Sequence, residues 1–243
     1  MRRRFFVERF EGDTATLRGE PAEHLGRVLR AKRGQLYELS DGERVWLARV
    51  DRVALTKGEN SRIEFALVER IPARESKLRI HLLLSIVKFE RFEWCLEKAT
   101  ELGAAEITPL AAARSDKPLI AAAAKRRARW EKILVESAQQ SRQLRPPTLG
   151  LIARPSAAFR EVKASTKILL SERADSKPMR EILAAARGSD AALAFGPEGG
   201  WTEEEVAAAH GAAFAEASLG HNILRAETAV IAALAIVRFA LGD

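Results

Sequence analysis

The sequence predicts an α/β protein of two parts, a small amino-terminal β-barrel over residues 1–72 and a larger domain with a parallel sheet over residues 73–243. Three observations support this organisation. Short strand-like runs separated by turn signals fill the first 70 residues, and strand-like and helical runs alternate from Leu78 onward. Two polar, glycine-containing loops follow strand-like runs near the carboxyl end, which is where open α/β sheets bind ligands.

The amino-terminal part contains five strand-like runs, at residues 5–10, 14–18, 35–39, 45–53 and 63–68. Asp41-Gly42, between two of these runs, is a strong hairpin signal. In the last run Ile63, Phe65 and Leu67 occupy alternate positions and so share one buried face. Residues 24–30 have the pattern of a short helix. Five strands of this length fit a small barrel.

The carboxyl-terminal part follows a linker at residues 71–77, which contains Pro72 and several charged residues. Strand-like runs lie at residues 79–87, 106–110, 167–171, 191–195 and 214–219, and helical patterns lie at 89–102, 119–143, 178–187, 203–210 and 227–241. Gly103 is a signal that ends the first of these helices. Strands separated by helices imply a parallel sheet with helices packed on both faces.

The two glycine-containing loops predict a ligand site. The first, residues 196–200, leads into Thr202 and Glu205, which have the spacing of a capping box at the start of a helix. The second, residues 218–229, sets Arg225 and Glu227 just before a long apolar helix. A phosphate-binding loop is disfavoured because glutamates crowd the helix start, where phosphate needs free N–H groups without competing anions. A cationic or neutral ligand fits better.

Composition excludes several classes of protein. The single cysteine, Cys95, excludes an internal disulfide framework, suits a reducing cytoplasm and has the spacing of a core residue. The sequence has no apolar run long enough to span a bilayer, no signal-peptide pattern, and no metal-ligand spacing among its four histidines. We therefore predict no membrane association and no metal.

Basic charge is concentrated in one segment of a chain whose net charge is +7. Residues 114–167 hold 13 Lys and Arg against 4 Asp and Glu, whereas residues 168–243 hold 6 against 11. A basic segment beside an acidic one indicates a nucleic-acid surface. A solvated helix face is the alternative interpretation.

These motifs resemble the ribosomal small-subunit methyltransferase E family of the SPOUT superfamily, over nearly the full length of the chain. The matching segments are residues 4–7, 24–25, 28–30, 88, 97–103, 136–142, 196–200 and 218–229. The last two segments are specific, whereas the amino-terminal ones are weak alone. The chain departs from the family pattern at residues 86–87, at His221 and in the short run 171–173, which bears on loop shape.

The resemblance implies a function that composition cannot give: S-adenosylmethionine-dependent methylation of N3 of a uridine in small-subunit (16S) ribosomal RNA. The partner would be that RNA or the assembled small ribosomal subunit. The parallel sheet would carry a deep trefoil knot, and the barrel would be a PUA-like RNA-binding domain. The working unit would be a cytoplasmic homodimer, with the apolar helix at residues 231–241 buried between the copies.

The resemblance and the charge pattern also suggest roles for individual residues. Arg225 would act electrostatically on the uracil or on the donor's carboxylate, and Glu227 would remove a proton or order the loop. The expected donor-binding residues are Leu170, Gly196, Pro197, Glu198, Gly199, Gly200, Leu219, Gly220, Ile223, Leu224 and Thr228. The expected RNA-binding residues are Arg4, Arg30, Lys88, Lys125, Arg126, Arg129, Gln139 and Arg142.

Three alternatives stay open at this point. Arg225 and Glu227 could form a local ion pair that only rigidifies the turn. The chain could be a ribose 2′-O-methyltransferase of the same superfamily, although residues 85–88 lack the arginine and asparagine usual there. It could also be a non-enzymatic RNA-binding protein, which would not need the loop at residues 196–200.

Overall fold

The structure, a computed structural model, describes residues 3–56, 58–73, 76–173 and 175–242. Arg74 and Glu75, within the predicted linker, lie outside the described residues. The chain divides into two compact units, which are described separately. Unit 1 takes Met1–Glu75 together with Ala138–Pro146, and unit 2 takes Ser76–Ser137 together with Pro147–Asp243.

Unit 1 is built around a six-stranded sheet in the order β1-β4-β5-β6-β3-β2. β1 and β4 are parallel, and all other neighbouring strands are antiparallel. Its elements are β1 (Arg4–Phe6), β2 (Phe10–Glu11), β3 (Thr14–Arg18), α1 (Gly19–Glu23), a π-helical turn (His24–Val28), β4 (Leu36–Ser40), β5 (Val45–Ala54), a 3₁₀ turn (Gly58–Asn60) and β6 (Arg62–Ile71). Phe5, Leu25, Leu39 and Phe65 are fully buried in its core.

The sequence placed most of these strands within a few residues, but two details differ. The run at residues 5–10 forms two strands rather than one. The helix expected at residues 24–30 begins earlier, at Gly19, because Pro21 suits the first turn of a helix, and it continues as a π-helical turn. The Asp41-Gly42 turn is confirmed: Gly42 has a φ of +88° and the Asp41 carboxylate accepts the N–H groups of Glu43 and Arg44.

Unit 1 also includes Ala138–Pro146, which the predicted first domain over residues 1–72 omits. The reason is a set of hydrogen bonds to backbone carbonyls in that segment. The Nη1 atom of Arg4 donates to the carbonyls of Arg142 and Gln143, at 2.6 and 3.1 Å, and the Ser40 hydroxyl donates to the carbonyl of Leu144 at 2.6 Å. Contacts over such sequence distances leave no local signal.

From Ser76 onward the chain alternates strands and helices. The elements are β7 (Arg79–Ser85), α2 (Phe89–Glu101), β8 (Glu106–Leu110), α3 (Lys117–Ala123), a 3₁₀ turn (Ala124–Arg126), α4 (Arg127–Gln140), β9 (Thr148–Leu149), α5 (Pro155–Glu161), β10 (Thr166–Leu170), β11 (Lys177–Pro178), α6 (Met179–Ala185), β12 (Asp190–Phe195), α7 (Glu203–Gly211), β13 (Ala215–Ser218) and α8 (Ala226–Leu241). The single helix predicted at residues 119–143 is thus interrupted by a 3₁₀ turn. Helix α5 and the two-residue strands β9 and β11 were not predicted, because such short elements carry little periodicity.

The sheet of unit 2 has seven strands in the order β11-β13-β10-β12-β7-β8-β9, and every neighbouring pair is parallel. Successive residues of β7 point to opposite faces: Leu82 joins a core with Phe92 of α2 and Leu234 of α8, whereas Leu83 joins a second core with Phe159 of α5. The predicted α/β class, a parallel sheet with helices on both faces, is confirmed.

Candidate active site

The two predicted ligand loops and the chain segment after β10 start at the carboxyl ends of three neighbouring strands of unit 2. Strand β10 lies between β12 and β13. Its last residue, Leu170, pairs with Phe195, the last residue of β12, and with Ala217 near the end of β13. The loops at residues 171–176, 196–202 and 219–225 therefore leave the same edge of the sheet, where ligands bind in open α/β folds.

The loop after β12 is a tight turn that leads directly into helix α7. The N–H of Gly200 donates to the carbonyl of Pro197 at 2.8 Å, and Gly200 has a φ of +70°, which favours glycine. The capping box is confirmed: the N–H of Glu205 donates to the Thr202 hydroxyl at 3.2 Å, and the N–H of Thr202 donates to the Glu205 carboxylate at 2.9 Å. Glu205 also accepts the N–H of Ala113 at 2.8 Å, which joins the loop after β8 to this turn.

The glycines of this loop make room for protein side chains. A Cβ atom at Gly196 would lie 3.2 Å from the indole of Trp201, and one at Gly199 would lie 3.1 Å from the Cβ of Arg114. Side chains at these two positions would therefore meet Trp201 or Arg114. Gly220 is different: its φ is +131° and the space beside it is open.

Trp201 and Arg114 form hydrogen bonds around the predicted ligand loop, and sequence reasoning missed both residues. The indole Nε1 of Trp201 donates to the carbonyl of Leu170 at 2.9 Å, and the Nη1 of Arg114 donates to the carbonyl of Gly199 at 2.8 Å. Trp201 directly follows the glycine run, so its position was the only signal available. The partner of Arg114 is 85 residues away, and no local pattern reveals it.

The start of helix α2 adjoins the same loop. The Nη1 of Arg91 lies 3.0 Å from the Oε1 of Glu198 in a partly exposed ion pair. Lys88, the residue that precedes α2, is exposed, and its carbonyl accepts the N–H groups of Arg91 and Phe92. Lys88 thus lies one helical turn from an arginine that touches the ligand loop.

The loop after β13 carries the two residues expected to be catalytic. Arg225 is the N-cap residue of α8 and is exposed, whereas Glu227 lies in the first turn of that helix. The Oε2 atom of Glu227 is buried and has no hydrogen-bond partner among the residues that the structure describes. In the described structure Arg225 and Glu227 do not form an ion pair with each other. The alternative in which such a pair only rigidifies the turn therefore has no support. Ile223 is 79% exposed.

The other predicted donor-binding residues lie around the same edge. Leu170 is buried, Leu219 and Leu224 are half-buried, and Thr228 is exposed. The N–H of Gly220 donates to the Ser218 hydroxyl at 3.2 Å, which shapes the start of the loop.

Cys95 of α2 reports on the electrostatics of the site. Burial raises the pKa of its thiol to about 12, with smaller contributions from the negative charges of Glu227 and Glu198. Both carboxylates, from two different loops, therefore lie within electrostatic range of one buried sulfur. The expectation that Cys95 is a core residue is confirmed.

Three residues expected to bind RNA are engaged within unit 1. Arg4 is buried and its Nη2 lies 2.9 Å from the Oε2 of Glu38. Arg142 lies 3.5 Å from the same carboxylate, and Gln139 is buried. The guanidinium of Arg4 is thus committed to internal bonds, and its assignment to RNA is not retained. Arg30 is exposed.

The basic segment is less free than its composition suggests. Arg126 and Arg129 both pair with Glu93 of α2, at 3.5 and 2.8 Å, and the Arg126 guanidinium also lies 4.7 Å from the centre of the Phe89 ring. Lys125 is exposed. Two of the three basic residues assigned to RNA in this segment, Arg126 and Arg129, are therefore paired with a carboxylate of another helix, and the role of the segment in RNA binding stays a prediction.

In residues 3–56, 58–73, 76–173 and 175–242, no group of three or more His, Cys, Asp or Glu side chains could hold a metal ion. Over those same residues, no helix has the length and apolar character needed to cross a membrane.

Comparison with known proteins gives consistent matches. Residues 74–238 match a family model described as an RNA methyltransferase domain. Ribosomal RNA small subunit methyltransferase E of Synechocystis sp. is 32% identical over 227 residues, which cover 91% of this chain and 72% of that protein.

Two solved structures are similar over the whole chain. Ribosomal RNA small subunit methyltransferase E from Neisseria gonorrhoeae, bound to S-adenosyl methionine, has a TM-score of 0.86 at 31% identity, over 100% of this chain and 99% of that one. A methyltransferase from Legionella pneumophila, in complex with the cofactor SAM, has a TM-score of 0.87 at 32% identity, with the same coverage.

Proposed function

The chain belongs to the ribosomal RNA small subunit methyltransferase E family, and from that premise we propose that it transfers a methyl group from S-adenosylmethionine to N3 of a uridine in small-subunit (16S) ribosomal RNA. The choice of N3 follows from the family, and the observation that supports a proton-accepting group is the buried, unpartnered Oε2 of Glu227 in the first turn of α8. Uracil N3 bears a proton that must leave before the nitrogen can accept a methyl group. A carboxylate oxygen without a partner is suited to take it.

The residues of the site fit S-adenosylmethionine. When bound, this cofactor supplies an electrophilic methyl group on a positively charged sulfur. Glu198 and Glu227 place negative charge beside such a cation, and the exposed loop at residues 219–225 leaves open space at Gly220. The carbonyls of Leu170 and Gly199 each accept one hydrogen bond from a side chain, so contacts with the cofactor there would use the remaining lone pair or other backbone groups of the loops.

The chemistry required of the chain is proton removal and charge stabilisation. Glu227 would take the N3 proton at Oε2, which frees the N3 electron pair to bond the methyl carbon; the carbon–sulfur bond would break at the same time, with its electron pair left on a neutral thioether sulfur. The positive charge of Arg225 stabilises the negative charge that develops on the uracil.

The geometry also supports roles for the surrounding surfaces. Exposed Arg30, Lys88 and Lys125 are the cations that we retain for RNA contacts.

Ribosomal RNA as a substrate implies a cytoplasmic location. We assign the ends of the two domains at residues 72 and 73, with Ala138–Pro146 as an addition to the first.

Three finer features of the family are proposed for this chain. A deep trefoil knot of SPOUT type is supported by the packing of α8 against β12 and against α6, which lies in the connection between β10 and β12. A PUA-like barrel is supported by the strand order of unit 1. A homodimer is supported by exposed apolar side chains on α8, where Phe239 is 94% exposed and Ile236 is also exposed.

The test is the identity of the methylated nucleoside. Small-subunit RNA, either free or within the assembled subunit, is incubated with labelled donor, digested to nucleosides and analysed by mass. We expect 3-methyluridine. A 2′-O-methylnucleoside would assign the chain to the ribose-modifying class, and no methylation with intact RNA binding would support a non-enzymatic role.

A further inference from the structure

We infer that Trp201 is a positioning residue of the donor site, whose indole ties the end of β10 to the loop at residues 196–202 and so sets the shape of the pocket before the donor binds. The inference rests on the proposed function, since it concerns the same site. Trp201 would be a further residue of this site, one that contacts the loops and does not need to contact the reacting atoms.

The hydrogen bond of Trp201 joins the loop after β12 to the end of β10. Leu170 is the last residue of β10, and its carbonyl lies where the chain leaves the sheet. The next residue, Ser171, still donates its N–H to Ala217 of β13 at 2.9 Å. The indole N–H of Trp201 gives the Leu170 carbonyl its partner at 2.9 Å. The Trp201 side chain thereby fixes the loop after β12 relative to strand β10.

The indole ring is in close contact with two other residues. A Cβ atom at Gly196 would lie 3.2 Å from the indole, so a side chain there would require the ring to shift. The fully buried ring of Phe159 packs edge-on with the indole, with ring centroids 5.8 Å apart. The glycine at position 196 and the tryptophan at 201 are therefore a matched pair.

The hydrogen bond is specific to tryptophan among apolar residues. The indole N–H can donate a hydrogen bond but not accept one, and the side chains of phenylalanine and leucine have no group that donates a hydrogen bond. Replacement by phenylalanine keeps an aromatic ring against Phe159 but leaves the Leu170 carbonyl without its partner. A preorganised pocket binds its ligand more tightly because less ordering is required on binding.

The first experiment measures donor affinity and turnover separately in Trp201→Phe. We expect the dissociation constant for S-adenosylmethionine to rise about 3- to 10-fold, the size of one lost hydrogen bond. Turnover at saturating donor should stay within about twofold of the wild type, because the variant leaves Arg225 and Glu227 in place. Trp46→Phe is the matched control, since Trp46 also stacks edge-on with an aromatic ring but lies in unit 1.

The second experiment tests the matched pair. Gly196→Ala should weaken donor binding in the wild type and should weaken it less in a Trp201→Leu background, because the smaller side chain leaves room. An equal loss in both backgrounds would overturn the inference, as would wild-type donor affinity in Trp201→Phe. If the wild-type protein itself binds no donor, the proposed function fails, and that outcome is distinct from either of these.

Discussion

Replacing Glu227 by glutamine tests the chemical core of the proposed mechanism. The substitution keeps the size of the side chain and removes its ability to accept a proton at neutral pH. General-base catalysis contributes about 10²- to 10⁴-fold to a rate. We expect turnover to fall about 10²- to 10³-fold, near the low end of that range, because Arg225 and the alignment of the reactants remain.

The structure also predicts what should not change. The buried Oε2 of Glu227 makes no hydrogen bond to the described residues, so the variant breaks no internal bond at that atom. Donor affinity should fall much less than the rate, because Glu198 still places negative charge near the donor, and the melting temperature should be nearly unchanged. Cys95 should remain protonated, because burial is the largest cause of its raised pKa.

The assay is single-turnover methylation at saturating donor and RNA, measured from neutral to alkaline pH, with donor affinity measured by calorimetry. The rate of the variant should rise with pH, since the N3 proton must then leave to solvent. Glu204→Gln is the matched control, because Glu204 is an exposed glutamate in the first turn of another helix. A variant rate within threefold of the wild type, or equal losses in rate and affinity, would refute a role in proton removal.

Three further predictions follow from individual side chains. Cys95, with a thiol pKa of about 12, should resist alkylation in the native protein at pH 8 and react fully in denaturant; rapid native labelling would contradict its burial. Burial lowers the pKa of His81, and the charge of Glu106 only partly opposes this. The contribution of His81 to the free energy of unfolding should therefore be fully present above the ordinary pKa of 6.5 and decrease as the pH falls below it. Denaturant midpoints at pH 7 and 5.5 measure this, and His81→Gln should flatten the difference. Lys125→Glu should weaken RNA binding and reduce the salt slope by about 0.7–0.9 per lost phosphate contact, whereas Arg129→Glu should mainly lower stability; the reverse pattern would show that Arg129 contacts RNA.

The sequence by itself determined the features that depend on neighbours within a few residues. The spacing of apolar residues predicted strands such as β8 and β12 to within a residue, and Thr202 and Glu205 predicted their own capping box, because both partners lie on one helical turn. The ligand loops could be located for the same reason, since glycine-rich turns at strand ends are local patterns.

Only the tertiary structure decided which side chains are available and which are committed. Arg4 and Arg129 look like any exposed cation in the sequence, yet each is paired with a carboxylate more than 30 residues away. Trp201 and Arg114 hold carbonyls that no sequence pattern connects to them. A pairing of this kind depends on how the chain brings distant segments together, and the local spacing of residues carries no record of it.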